Sequence, residues 1–312
     1  MKKWILFPLV LLALAITAIY LFIPSNLKIS QTLRMEANKE ALYRKLSQAE
    51  SWAEWWPGNK TMNESGAWEM DGGLFQPLEQ KMLSLSILLK EGSVETTAEL
   101  TLIAIKTDSC LVHIETSFPA SNNPFTRIAA YLKAVKIKNH FTSILQAIKS
   151  TYSSVAKLYG YDIRKEKVVD SNLVFISTQL KSLPSTEQVY AMAKKLNEYI
   201  RAKQASSTGY PMLNVFTRDS IDYEVRVAIP IDRRLPDAGE IHYKWMLGGG
   251  NILITEVKGG PEEIKKAFEQ VTHYVTDYKR IAPAIPFESL VTDRTAEKDS
   301  SQWITRIYYP VI

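Results

Sequence analysis

The first half of the chain changes from short alternating runs of apolar and polar residues to one long helical stripe. Leu27 to Met35 alternates with period two, which predicts a half-buried strand. Further alternating runs lie between Ala67 and Phe118, separated by turn residues. After Asn123, apolar positions recur at helical spacing to about Ala156. The pattern therefore predicts antiparallel strands followed by a long helix.

The second half contains a repeated pattern. Trp303–Val311 aligns without gaps to Tyr223–Ile231, and both segments share an aromatic start, an Arg at the fourth place, a β-branched residue at the fifth, and a Pro followed by an aliphatic residue. Each segment ends a series of strand, helix, Pro-led strand and Pro-terminated strand. The helices of the two series begin near Pro184 and Glu262. Two βαββ units are therefore predicted.

The last hairpin loop is longer in the second repeat than in the first. Its charged residues are expected to be solvated, and they are Asp293, Arg294, Glu297, Lys298 and Asp299.

The N-terminal segment has a different pattern. Residues 4–23 contain no charged side chain and follow Lys2 and Lys3. About 20 apolar residues are enough to cross the ~30 Å core of a bilayer. A cleaved signal peptide is the alternative, but it usually has a shorter apolar run and a small-residue cleavage site. We therefore predict that residues 1–25 are a single-pass signal anchor in the membrane, contacting the lipid bilayer through residues 4–23, with the domains after Pro24 outside the cytoplasm in the cell envelope.

Composition narrows the class of protein. The 312 residues suffice for two domains, and 46% hydrophobic with 23% charged residues are globular values. The net charge of +5 is mild, Lys is scattered, and no helix-turn-helix or zinc-finger pattern is present, so we expect no nucleic-acid partner. The single cysteine, Cys110, excludes an intramolecular disulfide, and we expect a buried thiol. The four histidines lack metal-ligand spacing, so no metal is expected.

The helix that begins at Asn38 is followed by a tryptophan-rich segment, Trp52–Pro57. This entry resembles the START-like fold (SRPBCC, polyketide-cyclase type) across about residues 27–150, and we assign the domain to residues 26–157. The resemblance implies a helix-grip fold, in which a curved sheet wraps around the long helix and often leaves an apolar cavity. Members of this family include lipid carriers, cyclases and domains with no known ligand, so the resemblance leaves the function open.

Residues 158–312 resemble the GyrI-like effector-binding domain, which is found in multidrug-sensing regulators of the MerR and AraC types and in free-standing proteins. The matching segments are Tyr210-Pro211, Arg226–Ile231, Lys258–Pro261, Pro286–Glu288 and Trp303–Val311. The resemblance implies a cleft lined by aromatic rings, with a buried glutamate that pairs with flat cationic ligands. That glutamate matches Glu288.

A carboxylate and aromatic faces both attract a cation, so the implied chemistry is coherent. The rings that could join Glu288 are Tyr210, Trp245 and Trp303. Many relatives carry an acidic residue where this chain has Arg306, and a guanidinium near Glu288 would shift the preference toward anionic or neutral ligands. Glu288 could instead lie on the solvent face of a strand or pair with an internal arginine.

The overall fold class predicted is α+β: an N-terminal transmembrane helix, a helix-grip START-like domain and a duplicated βαββ GyrI-like domain. The function predicted is binding of a hydrophobic or aromatic small molecule, as a sensor or carrier, with no cofactor and no catalytic residue. One alternative is a small-molecule hydrolase in which Glu288 is the base and a tyrosine the proton donor. The other is a structural or partner-binding module without a ligand.

Overall fold

The computed structural model describes residues 2–80, 84–169, 171–219, 222–246 and 248–312, apart from the side chains of residues 2–6, 79, 80, 171, 218 and 219. The described chain is a mixed α+β fold with two antiparallel sheets. It divides into two compact units, Met1–Ser154 (unit 1) and Val155–Ile312 (unit 2).

Unit 1 is built on a six-stranded sheet with the order β1-β6-β5-β4-β3-β2. Its strands are β1 (Asn26–Met35), β2 (Trp68–Met70), β3 (Gly73–Gln80), β4 (Ser84–Glu91), β5 (Val94–Lys106) and β6 (Ser109–Pro119). Its helices are α1 (Lys2–Phe22), α2 (Lys39–Ser47), α3 (Trp52–Trp55) and α4 (Pro124–Thr151). The predicted strand at residues 27–35 is therefore confirmed, and the long helix ends a few residues earlier than the pattern predicts.

The ends of these helices follow from polar side chains in the sequence. The Asn38 side chain accepts the backbone N–H of Ala41 at 3.1 Å and caps α2. Asn123 caps α4 in the same way, accepting the N–H of Phe125 at 2.9 Å. The buried stripe of α4 consists of Ala134, Ile137, Phe141, Ile144, Leu145 and Ile148.

The tryptophan-rich segment fills the interior of unit 1. Trp52, Trp55 and Trp56 are at most 2% exposed. The ring centroids of Trp52 lie 4.9 Å from Trp55 and 5.6 Å from Trp56, and the Trp56 ring lies 5.1 Å from Phe75. These rings are therefore core residues of the described part of unit 1.

The prediction of a transmembrane helix is wrong. Among the residues that the structure describes, no helix has the length and apolar character needed to cross a membrane. A bilayer core of about 30 Å requires about 20 consecutive apolar residues. The described side chains of α1 begin only at Phe7, and those of residues 4–6, where the predicted segment begins, lie outside the described residues. The predicted membrane localisation depended on this transmembrane helix and is therefore wrong as well. Contact of residues 4–23 with a lipid bilayer has no support.

The end of α1 packs against the rest of unit 1. The Arg127 guanidinium lies 4.8 Å from the centre of the Tyr20 ring and donates through Nε to the carbonyl of Ile23 at 2.9 Å. Arg127 is itself only 5% exposed. A buried arginine on α4 therefore fixes the last turn of α1.

Unit 2 is built on an eight-stranded antiparallel sheet with the order β11-β8-β10-β9-β13-β14-β12-β7. Its strands are β7 (Arg164–Lys167), β8 (Ser171–Leu180), β9 (Met212–Asp219), β10 (Asp222–Ile231), β11 (His242–Met246), β12 (Asn251–Lys258), β13 (Phe287–Leu290) and β14 (Ile304–Val311). Its helices are α5 (Val155–Tyr159), α6 (Thr186–Ala202) and α7 (Pro261–Asp277).

The two predicted βαββ units meet at the centre of this sheet. β9 of the first unit pairs with β13 of the second, so that Met212 lies opposite Ser289 and Leu213 opposite Glu288. On either side of this pair the strand orders mirror each other, with β10 and β8 on one side and β14 and β12 on the other. The sequence repeat therefore forms a pseudo-twofold sheet, and β7 and β11 are added at its edges.

Both helices of the repeat begin where the sequence predicts. Ser185 and Gln188 form a capping box at the start of α6, and Pro261 stands in the first turn of α7. The apolar stripe of α6, with Val189 and Leu196, packs in one cluster with Val174, Val225 and Val227 of the sheet. This packing decides which strand residues face the helices and which face away from them.

Candidate functional site

A groove lies on the face of the unit 2 sheet that points away from α6. Side chains alternate between the two faces of a strand. On β10, Val225, Val227 and Ile229 pack with α6, so Arg226 and Ala228 point to the opposite face. Among the described residues, none from α6 or α7 lines the groove. We call this surface the sheet groove, and it consists of two adjacent pockets.

The first part is a cavity of about 280 Å³, which we call the Trp245 pocket. Its apolar wall and floor include Leu173, Phe175, Met212, Trp245, Ile285 and Phe287. Its polar lining residues are Asn214, Arg226 and Lys244. Trp245 is 55% exposed although it is large and apolar. An apolar concave surface with few polar groups is the usual form of a small-molecule site.

The second part, which we call the Arg306 pocket, has a volume of about 610 Å³. It shares Met212, Met246 and Phe287 with the Trp245 pocket, so the two pockets lie side by side. Tyr210 and Arg306 line this second part. The Phe287 ring stacks on Tyr308 with a centroid distance of 5.0 Å, which gives the floor a flat aromatic surface at its centre.

The two arginines of the sequence repeat occupy equivalent places in the groove. Arg226 lies opposite Asn214 across β10 and β9, and Arg306 lies opposite Ser289 across β14 and β13. Each arginine is paired with a glutamate. Arg226 donates to Glu224 Oε1 from Nε at 2.9 Å and from Nη2 at 2.7 Å, and Arg306 Nε donates to Glu256 Oε2 at 2.9 Å.

Glu288 lies on the other face of the sheet. Its strand neighbours Leu213 and Leu290 belong to the core cluster packed against α6. Arg294 Nη2 donates to Glu288 Oε2 at 3.2 Å and to Thr305 Oγ1 at 2.9 Å. The side chains of Arg294 and Glu288 are only 11% and 20% exposed. Burial raises the pKa of Glu288, and the adjacent Arg294 guanidinium opposes that rise.

The loop that carries Arg294 is held in place by aromatic side chains. The Tyr190 hydroxyl accepts the backbone N–H of Arg294 at 2.9 Å and donates to the carbonyl of Thr292 at 3.1 Å. The Arg294 guanidinium lies 4.7 Å from the centre of the Trp303 ring, and Trp303 Nε1 donates to the carbonyl of Glu297 at 3.0 Å. The carboxylate and the aromatic face that could receive a flat cation are therefore both in contact with an arginine of the same chain.

The structure separates the five predicted ligand-binding residues into two groups. Trp245 lines the first pocket of the sheet groove, and Tyr210 and Arg306 line the second. Glu288 and Trp303 lie together around Arg294 on the helix face. The partner of Glu288 is therefore Arg294, whereas Arg306 is paired with Glu256 on the groove face.

The expectation that Arg294 is solvated is wrong, because the longer second loop folds back and buries its guanidinium. Residues missed at this site include Phe175, Met212, Asn214 and Phe287 of the groove. One signal in the sequence could have identified Asn214 and Arg226. Residues alternate around Arg226 in the repeat, and pairing of the strands then places Asn214 and Arg226 on one face.

No centre for a metal ion is formed by the described residues. The part of the chain that the structure describes contains no group of three or more His, Cys, Asp or Glu residues that could hold one.

Solved structures similar to this chain include GyrI-like effector-binding proteins and a START superfamily protein. No protein-family model matches the sequence, and no curated protein matches it. EcmrR in a complex with DNA is 13% identical, with coverage of 60% of this chain and 70% of EcmrR and a TM-score of 0.44. SAV2435 bound to tetraphenylphosphonium is 16% identical, with coverage of 48% and 94% and a TM-score of 0.32. A START superfamily protein from Mycobacterium smegmatis is 14% identical, with coverage of 39% and 97% and a TM-score of 0.29.

The TM-scores of these three structures lie below 0.5, so the function proposed for this chain rests on its own residues. The expectation that this protein has no nucleic-acid partner has no support and stays a prediction.

Proposed function

We propose that this protein binds a flat hydrophobic or aromatic small molecule in the sheet groove of unit 2, as a carrier or a sensor of such compounds. The observation that carries this proposal is the Trp245 pocket, an apolar cavity of about 280 Å³. Trp245 and Phe175 supply its aromatic wall, and Met212 supplies an adaptable side chain on its floor. Burying aromatic surface of a ligand there contributes roughly 25 cal/mol for each Å² removed from water.

Ala228 offers a direct test, because its small side chain forms part of the pocket lining. We expect the full-length protein to bind the uncharged fluorescent probe phenylnaphthylamine saturably. Ala228→Phe fills the pocket and should weaken that binding at least about tenfold, which is roughly 1.4 kcal/mol. The measurement is a fluorescence titration with the probe.

Ala202→Phe is the matched control. Ala202 is the last residue of α6, is exposed and does not line the groove. This variant should bind the probe as the parent does. Saturable binding that survives Ala228→Phe would place the probe elsewhere, and absence of saturable binding to the parent would refute the proposed function.

No observation favours the hydrolase alternative. A general base must reach the proton that it removes. Among the described residues, the hydrogen-bond partner of Glu288 is Arg294, and no tyrosine hydroxyl is bonded to its carboxylate. The groove also makes a module without a ligand the weaker proposal, because the Trp245 pocket is open and not filled by its own side chains.

A further inference from the structure

The charged groups of the Trp245 pocket all carry the same sign. Arg226 and Lys244 are its charged lining residues, and no acidic residue lines it in the part of the chain that the structure describes. Lys244 is exposed and has no ion-pair partner among the described residues. The lining therefore attracts negative charge.

Arg226 is positioned to donate to a ligand. Glu224 holds the guanidinium through Nε and Nη2 and occupies two of its five N–H donors. The remaining donors stay available at the pocket, where the Arg226 side chain is 36% exposed. Glu224 is 17% exposed and is not itself a lining residue. The pair thus presents an arginine whose orientation is already fixed, which reduces the entropy lost on binding.

The glutamates of this sheet that could favour a cation are paired with arginines, Glu224 with Arg226 on the groove face and Glu288 with Arg294 on the helix face. Aromatic faces attract cations most strongly where a carboxylate assists them. The Glu288 carboxylate points to the helix face, and Glu224 does not line the pocket. A cation in the Trp245 pocket would therefore meet Arg226 and Lys244 and no lining carboxylate among the described residues.

We infer that the ligand of the Trp245 pocket is a flat apolar anion whose acidic group contacts Arg226. This inference rests on the proposed function and specifies its ligand class. The aromatic body of the ligand lies against Phe175, Trp245 and Phe287, and its carboxylate or sulfonate accepts hydrogen bonds from Arg226. Lys244 adds attraction at the pocket mouth.

Two probes with one aromatic skeleton separate charge from shape. Anilinonaphthalene sulfonate is the anionic counterpart of uncharged phenylnaphthylamine. A hydrogen bond to a charged group contributes about 1.5–3 kcal/mol. We therefore expect the full-length protein to bind the sulfonate at least about tenfold more tightly than the uncharged probe, and tetraphenylphosphonium to compete poorly with either.

Substitutions of Arg226 and Lys244 test whether these residues cause the preference for the anionic probe. Arg226→Gln removes the guanidinium proposed to contact the sulfonate, so it should reduce the ratio of the affinities for the sulfonate and for phenylnaphthylamine to about one or below. Arg226→Lys keeps a positive charge and should retain part of the preference for the anionic probe. Lys244→Gln, at an exposed strand position, should lower the ratio without affecting the fold.

Arg164→Gln is the matched control. Arg164 is an exposed arginine of β7 that pairs with Asp162 and lines neither pocket of the sheet groove. This variant should keep the parent ratio. Equal affinities of the two probes for the parent, a ratio that survives both Arg226→Gln and Lys244→Gln, or stronger competition by tetraphenylphosphonium would overturn the inference. Because binding of the uncharged probe and its loss in Ala228→Phe test the groove itself, failure of the charge preference is distinguishable from failure of the proposed function.

Discussion

At the scale of single residues, burial distinguishes two arginine–glutamate pairs of unit 2. The pair of Arg294 and Glu288 has side chains that are 11% and 20% exposed, whereas the pair of Arg306 and Glu256 has side chains that are 40% and 47% exposed. Water screens an exposed pair, and removal of either partner leaves the other solvated. Removal of one partner from a buried pair leaves a charge without compensation.

Arg294→Ala should therefore destabilise unit 2 by about 3–5 kcal/mol, because Glu288 would be left buried without a counter-charge. Arg306→Ala, the exposed control, should cost about 0–1 kcal/mol. Urea unfolding of the two variants and the parent measures both changes in the free energy of unfolding.

A double variant separates the pair from simple loss of packing. Arg294→Met with Glu288→Leu replaces both charges by apolar groups of similar size and should recover much of the stability lost in Arg294→Ala. A double variant that is destabilised by the sum of its single changes would show that the charges of the pair are not coupled.

At the scale of elements, α4 brings a titratable group into the interior of unit 1. His140 of α4 is 3% exposed, and neither ring nitrogen has a hydrogen-bond partner among the described residues. Its Nδ1 lies 3.7 Å from Glu91 Oε2. Burial lowers the pKa of His140, Lys136 lowers it further, and Glu91 and Asp71 oppose these effects.

This shift predicts a pH dependence of stability. The unfolded chain protonates His140 near pH 6.5, whereas the folded chain keeps it neutral to lower pH. Between these two values the unfolded state binds more protons, so the free energy of unfolding decreases as the pH falls below about 6.5. His140→Leu should reduce this slope, as measured by urea unfolding between about pH 5 and 7.

His273→Leu provides the control, because His273 is exposed on α7. This variant should keep the slope of the parent. An unchanged slope in His140→Leu would mean that other groups of unit 1 cause the pH dependence.

The elements themselves were predictable where their periodicity is strong. Thr186–Ala202 and Pro261–Asp277 have apolar stripes and clear start signals, and both helices form there. β11 was missed, because its five residues alternate poorly and are mostly exposed. Pairing with β8 at the edge of the sheet stabilises it, and that partner lies about 70 residues earlier in the chain.

At the scale of the whole molecule, the sequence repeat determined the symmetry of the unit 2 sheet. Each βαββ copy supplies one half, and β9 and β13 join them at the pseudo-twofold axis. The sheet groove needs both copies, since the Trp245 pocket takes Arg226 from the first and Phe287 from the second. A site built in this way cannot be located in either copy alone.

The sequence by itself determined the α+β class, the repeat and the helix starts. The tertiary structure decided which face each side chain joins. β13 and β14 pair with Ser289 opposite Arg306 and Glu288 opposite Ile307. Because side chains alternate along a strand, this register puts Arg306 in the sheet groove and Glu288 on the helix face. Contacts between distant segments set that register. The local sequence pattern could therefore identify Arg306 and Glu288, but it could not show that they lie on opposite faces of the sheet.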